Sequence, residues 1–292
     1  MSELSNGVEQ VIVARTSDIG GLSVRRALPV AGRRMVGPFI FLDEMGPAVF
    51  APGEGLDVRP HPHIGLSTVT YLFDGAIAHR DSTGTTQIVR PGALNIMTAG
   101  RGVVHSERSP AEERGGGGRL HGAQLWMALR AVEECAPGFL HFPVRALPRV
   151  VAEGKRVRLV LGEAYGEASP VETPTDCVFA EISMAPGATL PVDPDWDERA
   201  LYVVSGEIDV AGVTFGAGKL LALAPGDRIS ALALSNARLL LIGGPAMDGP
   251  RHIWWNFVSS SKERIEAAKA DWRAGKMALP EGESEFIPAP EG

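Results

Sequence analysis

The sequence predicts an all-β protein built from two similar domains. The 292 residues include 35 glycines and 22 prolines, which suits a chain with many tight turns. Short β-branched and aromatic runs alternate with turn residues, as in antiparallel sandwiches and barrels. There is also an internal repeat, in which residues 68–75 align with 199–206 and residues 89–94 align with 215–220. We therefore expect two copies of one β-domain.

The first domain is predicted to be a series of short strands. Residues 66–74 are rich in threonine, valine and aromatic side chains, and Asp74-Gly75 closes them with a hairpin signal. The expected strands are 9–15, 37–44, 66–74, 76–80, 87–89, 94–97 and 120–130. The glycine run at 114–119 predicts a flexible loop. Residues 131–150 contain three prolines and predict the passage between the domains.

The second domain is predicted to hold further strands over about 156–244, followed by a short helix. Ser260 and Glu263 form a capping box, and the helix is expected to run to about Ala274 with Gly275 as its stop. The predicted domains are residues 1–145 and 146–292.

Composition excludes several classes of function. The formal net charge of -7 disfavours direct binding to nucleic acid or to an anionic membrane, because both need a clustered basic surface. No apolar run reaches the roughly 18 residues of a membrane span, and the first residues lack the pattern of a signal peptide. Cys135 and Cys177 are the only cysteines, which favours a reducing compartment. We expect a cytoplasmic protein.

Two pairs of residues predict a metal site. His61 and His63 form one pair and His105 and Glu107 the other, each with i, i+2 spacing. On a β-strand that spacing places both side chains on the same face. Two adjacent strands would then direct three imidazoles and one carboxylate at one point. This donor set suits Fe, Mn, Ni, Cu or Zn rather than Mg or Ca, which prefer oxygen ligands.

The second copy of the repeat lacks these donors. In the sequence alignment, Val192 and Pro194 take the places of the first pair, and Ala231 and Ala233 take the places of the second. None of these side chains can ligate a metal. We therefore expect one metal site in the chain, with the second domain as a structural partner.

At these segments the chain resembles the pirins, two-domain members of the cupin superfamily. The resemblance is strong over residues 20–145 and weak over 160–280. It rests on segments that contain or flank the candidate ligands, namely 38–44, 60–65, 68–72, 81–82, 97–107 and 120–126. The segment Met-Thr-Ala-Gly-Arg-Gly-Val-Val-His-Ser-Glu at 97–107 is the most specific of them.

The resemblance implies two jelly-roll β-barrels packed face to face, with one iron in the N-terminal barrel. The residues that match the iron ligands are His61, His63, His105 and Glu107. It also implies one of two roles, a quercetin 2,3-dioxygenase-type activity or regulation through protein partners. The chain departs from the family at Ser67, where pirins usually carry a glutamate that is not a metal ligand, so a hydrogen bond around the site is expected to be lost.

Further residues are weaker candidates for the same pocket. His79 is expected either to line the pocket or to be a satisfied core histidine, and His121 to close over its mouth. Arg101 is expected either to support Glu107 or an anionic substrate, or to form a structural salt bridge. His141 and His252 are expected to be structural. Candidate walls for a flat aromatic ring, or else plain core residues, are Phe39, Phe41, Met97, Trp126 and Met127.

These residues predict a function with alternatives. An open metal site holding Fe(II), with Mn, Ni, Cu or Zn as alternatives, suits dioxygenase chemistry on a flavonol-like substrate, with Glu107 as the base. A regulatory metalloprotein that acts through a protein partner is the main alternative, and a different cupin activity such as isomerisation is the third. A deep cavity beside the metal favours an enzyme, and a shallow charged mouth favours a protein partner.

Overall fold

The structure, a computed structural model, describes residues 7–19, 21–130 and 135–291. Within these residues the chain is mostly antiparallel β-structure with two α-helices. The strands are β1 (Val8–Val13), β2 (Arg15–Ile19), β3 (Leu22–Leu28), β4 (Phe39–Phe50), β5 (Asp57–His63), β6 (Leu66–Gly75), β7 (Ile77–Asp81), β8 (Thr86–Val89), β9 (Leu94–Thr98), β10 (Val103–Arg108), β11 (Gly118–Ala128), β12 (Gly138–Phe142), β13 (Arg149–Ala152), β14 (Lys155–Leu161), β15 (Glu163–Ala164), β16 (Glu167–Ala168), β17 (Val178–Met184), β18 (Thr189–Val192), β19 (Glu198–Ser205), β20 (Glu207–Val210), β21 (Val213–Gly216), β22 (Lys219–Leu223), β23 (Ile229–Ala233), β24 (Ala237–Gly244), β25 (His252–Trp254) and β26 (Phe257–Ser259). The helices are α1 (Ala111–Gly116) and α2 (Lys262–Arg273), with a short 3₁₀ turn at Val144–Ala146.

Two jelly-roll barrels repeat one sheet topology. The first barrel has a four-stranded sheet in the order β5-β10-β7-β8 and a seven-stranded sheet in the order β12-β9-β6-β11-β4-β3-β2. The second has a four-stranded sheet in the order β18-β23-β20-β21 and a seven-stranded sheet in the order β1-β22-β19-β24-β17-β14-β13. The two lists correspond strand for strand, so the predicted pair of cupin barrels is confirmed.

The internal repeat is confirmed at the level of strand register. Tyr71 of β6 pairs with Leu94 of β9, and Tyr202 of β19 pairs with Leu220 of β22. These are the residues that the sequence alignment matched. Periodicity alone cannot fix register, but a Gly-closed hairpin after each tyrosine strand does.

Two predicted loops belong to the first barrel. The glycine run at 114–119 is not a continuous loop, because α1 extends to Gly116 and β11 begins at Gly118. Part of the predicted passage at 131–150 is strand β12, which pairs with β9. The prolines near this short strand had indicated a passage between domains. Residues 131–134 of that passage lie outside the described residues.

The compact units are not continuous stretches of chain. One unit contains Arg145–Met247 together with strand β1 and Arg25–Leu42, and the other contains Asp43–Val144 together with Thr16–Val24 and Asp248–Gly292. The predicted domain bounds of 1–145 and 146–292 stay a prediction. Strand β1 pairs with β22 of the second barrel. The C-terminal helix, predicted as part of the second domain, groups with the first barrel.

Helix α2 has the predicted cap one residue later than expected. Ser261, rather than Ser260, is the N-cap, and its hydroxyl accepts a hydrogen bond from the Arg264 backbone N–H at 3.2 Å. The helix buries Ile265, Ala268 and Trp272. None of the helices in the described part of the chain combines the length and apolarity that a membrane crossing requires.

The segment after α2 is tied to β5 and β10. The Ser106 hydroxyl donates to Glu283 Oε1 at 2.8 Å, and Arg108 Nη2 donates to Glu283 Oε2 at 2.8 Å. The Ile287 N–H donates to the Pro60 carbonyl at 2.8 Å. We call residues 283–287 the C-terminal strap. It contacts the two strands that carry the candidate metal ligands.

Candidate metal centre

Strands β5 and β10 bring three histidines together. The strands pair antiparallel, with His61 opposite His105 and His63 opposite Val103. Alternation along each strand then places the three imidazoles on one face. His63 Nε2 lies 3.0 Å from His105 Nε2, and the His61 and His105 ring centroids are 4.4 Å apart. The predicted convergence of these three residues is what the structure shows.

The donor set fits a metal ion. The ligand atoms of His61, His63 and His105 all lie within 4.8 Å of one another, and all three side chains are buried. Two nitrogens that are each about 2.1 Å from one ion and at right angles to each other would be about 3.0 Å apart. That is the separation between His63 and His105. The histidine cluster therefore can hold a transition metal, whose identity the donor set does not fix.

Burial keeps these imidazoles neutral, as metal ligation requires. Desolvation lowers the pKa of His61 from 6.5 to about 4, although a hydrogen bond to the Arg59 carbonyl opposes it. Desolvation also lowers the pKa of His63 and of His105 well below the usual value, with the neighbouring histidines acting in the same direction. Neutral rings have a free nitrogen lone pair at physiological pH.

Glu107 lies beside the cluster, in a second group of possible metal ligands that also contains His79 and His105. One of its carboxylate oxygens is within 4.8 Å of ligand atoms of His79 and His105. Burial raises the pKa of Glu107, while His79 and the hydroxyl of Thr70 act in the opposite direction. The role of Glu107 as a fourth ligand of the same ion stays a prediction.

His79 contacts a member of the cluster and also has a hydrogen-bond partner of its own. Its Nδ1 lies 3.3 Å from His105 Nδ1, and its Nε2 lies 3.0 Å from Asp81 Oδ2. The ring stacks on Phe139 with a centroid distance of 4.6 Å. Asp81 was missed as a site residue. The available signal was a third i, i+2 pair, His79 and Asp81, on the strand next to β10.

Asp81 is held as a carboxylate by its own turn. Its Oδ1 accepts hydrogen bonds from the Thr83 N–H at 2.8 Å, the Thr83 hydroxyl at 2.6 Å and the Thr85 N–H at 3.2 Å. Burial alone would raise the pKa of Asp81, but hydrogen bonds from His79 and Thr83 outweigh burial and lower the pKa.

Two of the five candidate wall residues face the histidines. Trp126 meets the His63 ring edge-on at 5.2 Å, and it pairs with Thr68, which pairs with Met97. Met127 is the next residue along β11 and therefore faces the opposite side. Phe39 and Phe41 lie on β4 of the first barrel's sheet, in the part of that strand that groups with Arg145–Met247.

Ser67 also faces away from the histidines. It pairs with Met127, and its hydroxyl hydrogen bonds to the Thr98 hydroxyl at 2.9 Å. The neighbouring Thr68 shares the face of Trp126, so Ser67 does not point at the metal cluster. The expectation that a glutamate here would order the metal site finds no support in this geometry.

His121 and His141 each have a polar partner. His121 Nε2 is 2.8 Å from Glu44 Oε1, and its ring meets Phe73 edge-on at 4.9 Å. His141 Nδ1 is 2.6 Å from Asn95 Oδ1, and its structural role stays a prediction. The Arg101 side chain is exposed, and its proposed support of Glu107 stays a prediction.

The second barrel places hydrocarbon where the first places ligands. Hairpin pairs Ile77–Val89 and Ile208–Phe215 correspond, which fixes the register of β20 and β21 against β7 and β8. The pairings from β20 through β23 to β18 then give the counterparts of the site residues. Val210 corresponds to His79, and Ala231 corresponds to Glu107. Ile229 corresponds to His105, and Val192 corresponds to His61. The sequence alignment had placed Ala231 and Ala233 opposite His105 and Glu107, two residues too far along. The conclusion that none of them can ligate is unchanged.

The fold and the site together define a two-domain cupin whose N-terminal barrel alone carries a histidine cluster among the described residues. The family models of pirin and of the pirin C-terminal cupin domain match residues 21–127 and 179–278. The chain belongs to the pirin family.

Relatives over nearly the whole chain agree with this assignment. A pirin-like protein of Caulobacter vibrioides is 46% identical over 289 residues, covering 97% of this chain and 100% of its own. A protein of Pseudomonas aeruginosa, provisionally named a quercetin 2,3-dioxygenase, is 40% identical and covers 91% of this chain and 84% of its own. The crystal structure of a quercetin 2,3-dioxygenase from Acinetobacter baumannii superposes with a TM-score of 0.89 at 33% identity, covering 97% of this chain and 95% of its own.

Proposed function

We propose that this chain is an iron-dependent dioxygenase of the quercetin 2,3-dioxygenase type that acts on flavonol-like substrates. The observation that carries the proposal is the buried cluster of three neutral histidines with the carboxylate of Glu107 beside it. The similarity to the named dioxygenase of Acinetobacter baumannii supports the reaction class. Iron(II) is the proposed metal, with Mn, Ni, Cu or Zn as alternatives, because the donors are nitrogen and oxygen.

The surrounding side chains suit a flat, hydroxylated ring. Trp126 and Met97 supply apolar surface on the histidine face, and Phe139 extends it beside His79. Asn95 Nδ2 is buried and meets no hydrogen-bond partner among the described residues, so it can donate to an oxygen of a ligand. Aromatic and apolar walls with a few placed polar groups are usual for sites that bind small molecules.

Glu107 is the proposed base. Burial raises the pKa of Glu107 above that of an exposed glutamate. The carboxylate can therefore accept the proton of a flavonol hydroxyl and later return it. His61, His63 and His105 hold the metal, and their burial excludes competing water. The metal, when bound, supplies the one-electron chemistry that allows O2 to react with an organic substrate.

The test is anaerobic reconstitution with Fe(II), Mn(II), Ni(II) or Cu(II), followed by O2 uptake with quercetin. We expect uptake that depends on the metal and is lost with the metal in His105→Ala. A substitution of the equivalent residue in the second barrel, Ile229→Val, is the matched control and should retain uptake. Fully metallated protein that consumes no O2 with any flavonol would favour the regulatory alternative, in which the metal controls binding of a protein partner.

A further inference from the structure

We propose that Asp81 and His79 form a relay that fixes the tautomer of His105 and so presents its Nε2 lone pair to the metal. They are positioning residues, since they act on the metal only through His105. This inference rests on the metal site of the proposed function, but it does not depend on which reaction the metal supports.

The relay begins at a fixed hydrogen-bond acceptor. Three donors from Thr83 and Thr85 occupy Oδ1 of Asp81, so its Oδ2 is left to face His79 Nε2 at 3.0 Å. An ionised carboxylate can only accept hydrogen bonds. The proton between the two groups must therefore be on His79 Nε2.

The remaining protons follow from this first assignment. A His79 ring that carries one proton, held on Nε2 by Asp81, has a lone pair on Nδ1. His79 Nδ1 faces His105 Nδ1 at 3.3 Å, so the proton in this contact must be on His105. His105 then carries its proton on Nδ1, and its Nε2 has a free lone pair. That Nε2 is the atom that lies 3.0 Å from His63 Nε2 in the histidine cluster.

Burial gives the relay its strength. His79, Asp81 and His105 are 4%, 1% and 1% exposed, so water does not offer substitute partners. Stacking on Phe139 fixes the plane of the His79 ring. Carboxylate partners of this kind orient metal-binding histidines in many sites, and their loss typically lowers metal affinity by about 10- to 100-fold. Here a second imidazole is inserted between the carboxylate and the ligand.

The second barrel shows that the fold does not require this arrangement. Val210, the counterpart of His79, is 1% exposed and packs in the apolar core. The barrel can therefore form with an apolar side chain at this position. The polar relay is a feature of the metal-bearing barrel and not of the topology.

Asp81→Asn is the most informative variant, because it reverses the direction of the hydrogen bonds in the relay while keeping the size of the side chain. The donors from Thr83 and Thr85 need an oxygen at the Oδ1 position, so the new amide must direct its NH2 at His79 Nε2. His79 then takes its proton on Nδ1 and donates to His105 Nδ1. The His105 proton moves to Nε2, which faces the metal. Thr83→Val is the matched control, since it loosens the same turn but leaves Oδ2 and His79 in place.

The first measurement needs no metal and no activity. Nitrogen-15 NMR of the histidine side chains in metal-free protein at neutral pH distinguishes the two neutral tautomers. We expect His105 protonated on Nδ1 in the wild type and in Thr83→Val, and on Nε2 in Asp81→Asn. A wild-type His105 with its proton on Nε2 would overturn the relay.

The second measurement is the affinity for Co²⁺, followed by its visible absorption. We expect Asp81→Asn to weaken binding by about 10- to 100-fold and Thr83→Val to stay within about 2-fold of the wild type. In a His79→Phe background the additional effect of Asp81→Asn should vanish, because the connection to His105 is gone. An equal loss in both backgrounds would contradict the relay.

The stoichiometry separates the relay from its rival explanation. His79, His105 and Glu107 also form a set of possible ligands within 4.8 Å, which could hold an ion of its own. Two Co²⁺ per chain, one of them lost in His79→Phe, would replace the relay by a second metal site. If the wild type binds Co²⁺ with the expected tautomers but its Fe(II) form consumes no O2 with flavonols, the relay stands and the proposed function fails. A wild type that binds no metal would overturn both.

Discussion

The two barrels share one topology but fill their interiors differently. Where the first barrel has His61, His105 and Glu107, the second has Val192, Ile229 and Ala231, all in its apolar core. All seven histidines of the chain lie in the unit of the first barrel. The second barrel shows what the fold needs for its own stability. The polar interior of the first barrel is therefore a functional addition.

This difference predicts how each barrel responds to change. Buried polar side chains replace hydrophobic burial with groups that lose their hydration, so they stabilise a barrel less than valine or isoleucine would. A metal that binds the folded state but not the unfolded state restores stability in proportion to its affinity and concentration. The first barrel should depend on the metal, and the second on packing.

The largest expected contrast is between His105→Ala and Ile229→Ala. The first variant removes a central ligand and should weaken metal binding at least 100-fold, with little loss of stability in metal-free protein. The second creates a cavity in an apolar core and should cost about 2–5 kcal/mol in the free energy of unfolding, with unchanged metal content. Metal analysis and urea unfolding measure the two effects. Equal metal loss in both variants would break the comparison.

The next effect is on turnover. Glu107→Gln keeps the shape of the side chain and an oxygen but loses the carboxylate, so metal-loaded protein should consume O2 on the order of 100-fold more slowly. Glu181 of the second barrel is also buried and pairs with Arg238 at 3.2 Å. Glu181→Gln is the control and should leave the rate per bound metal unchanged. A fully active Glu107→Gln enzyme would remove Glu107 from the role of base.

The pH dependence of stability should also differ between the barrels. The pKa of His61 is about 4 in the folded state and 6.5 as the ordinary value. The unfolded chain therefore takes up a proton first as the pH falls. The stabilisation is complete above pH 6.5 and is lost toward pH 4, which amounts to about 3 kcal/mol from this residue. His63 and His105 act in the same direction.

Urea unfolding of chelator-treated protein at pH 7 and pH 5 measures this effect. The transition of the first barrel should move to lower urea at pH 5, and His61→Gln should reduce the shift. The second barrel has no histidine, so its transition should change much less. A shift of the same size in both barrels would mean that the buried histidines are not its cause.

The smallest effect is expected at Ser67. Ser67→Ala removes a hydrogen bond to Thr98 and should cost about 1 kcal/mol of stability. Metal affinity and turnover should not change, because Ser67 faces away from the histidines. Ser67→Glu would bury a carboxylate on that same face, so it should destabilise the barrel without raising turnover. Higher turnover in Ser67→Glu would show that this position does reach the pocket.

The sequence predicted the ligand strands because strand alternation is a local property. The i, i+2 spacing of His61 and His63 places both on one face of β5, and pairing with β10 brings His105 to the same face. The repeat around the two tyrosines indicates the register of β6 against β9. Long-range pairing is not local, so the place of β12 beside β9 was not predicted. Asp81 was missed for a related reason, since a lone aspartate before a turn usually serves only the turn.

The C-terminal strap has a consequence for the order in which the protein can mature. Glu283 and Ile287 contact Ser106, Arg108 and Pro60, on the strands of the metal ligands. A ribosome completes all strands of the second barrel before it reaches residue 283. The ligands are thus encoded early, yet these supporting contacts form only after the strands of the second barrel have been made. Metal loading during synthesis would meet an unfinished site, and full affinity should appear only after the strap has been released from the ribosome.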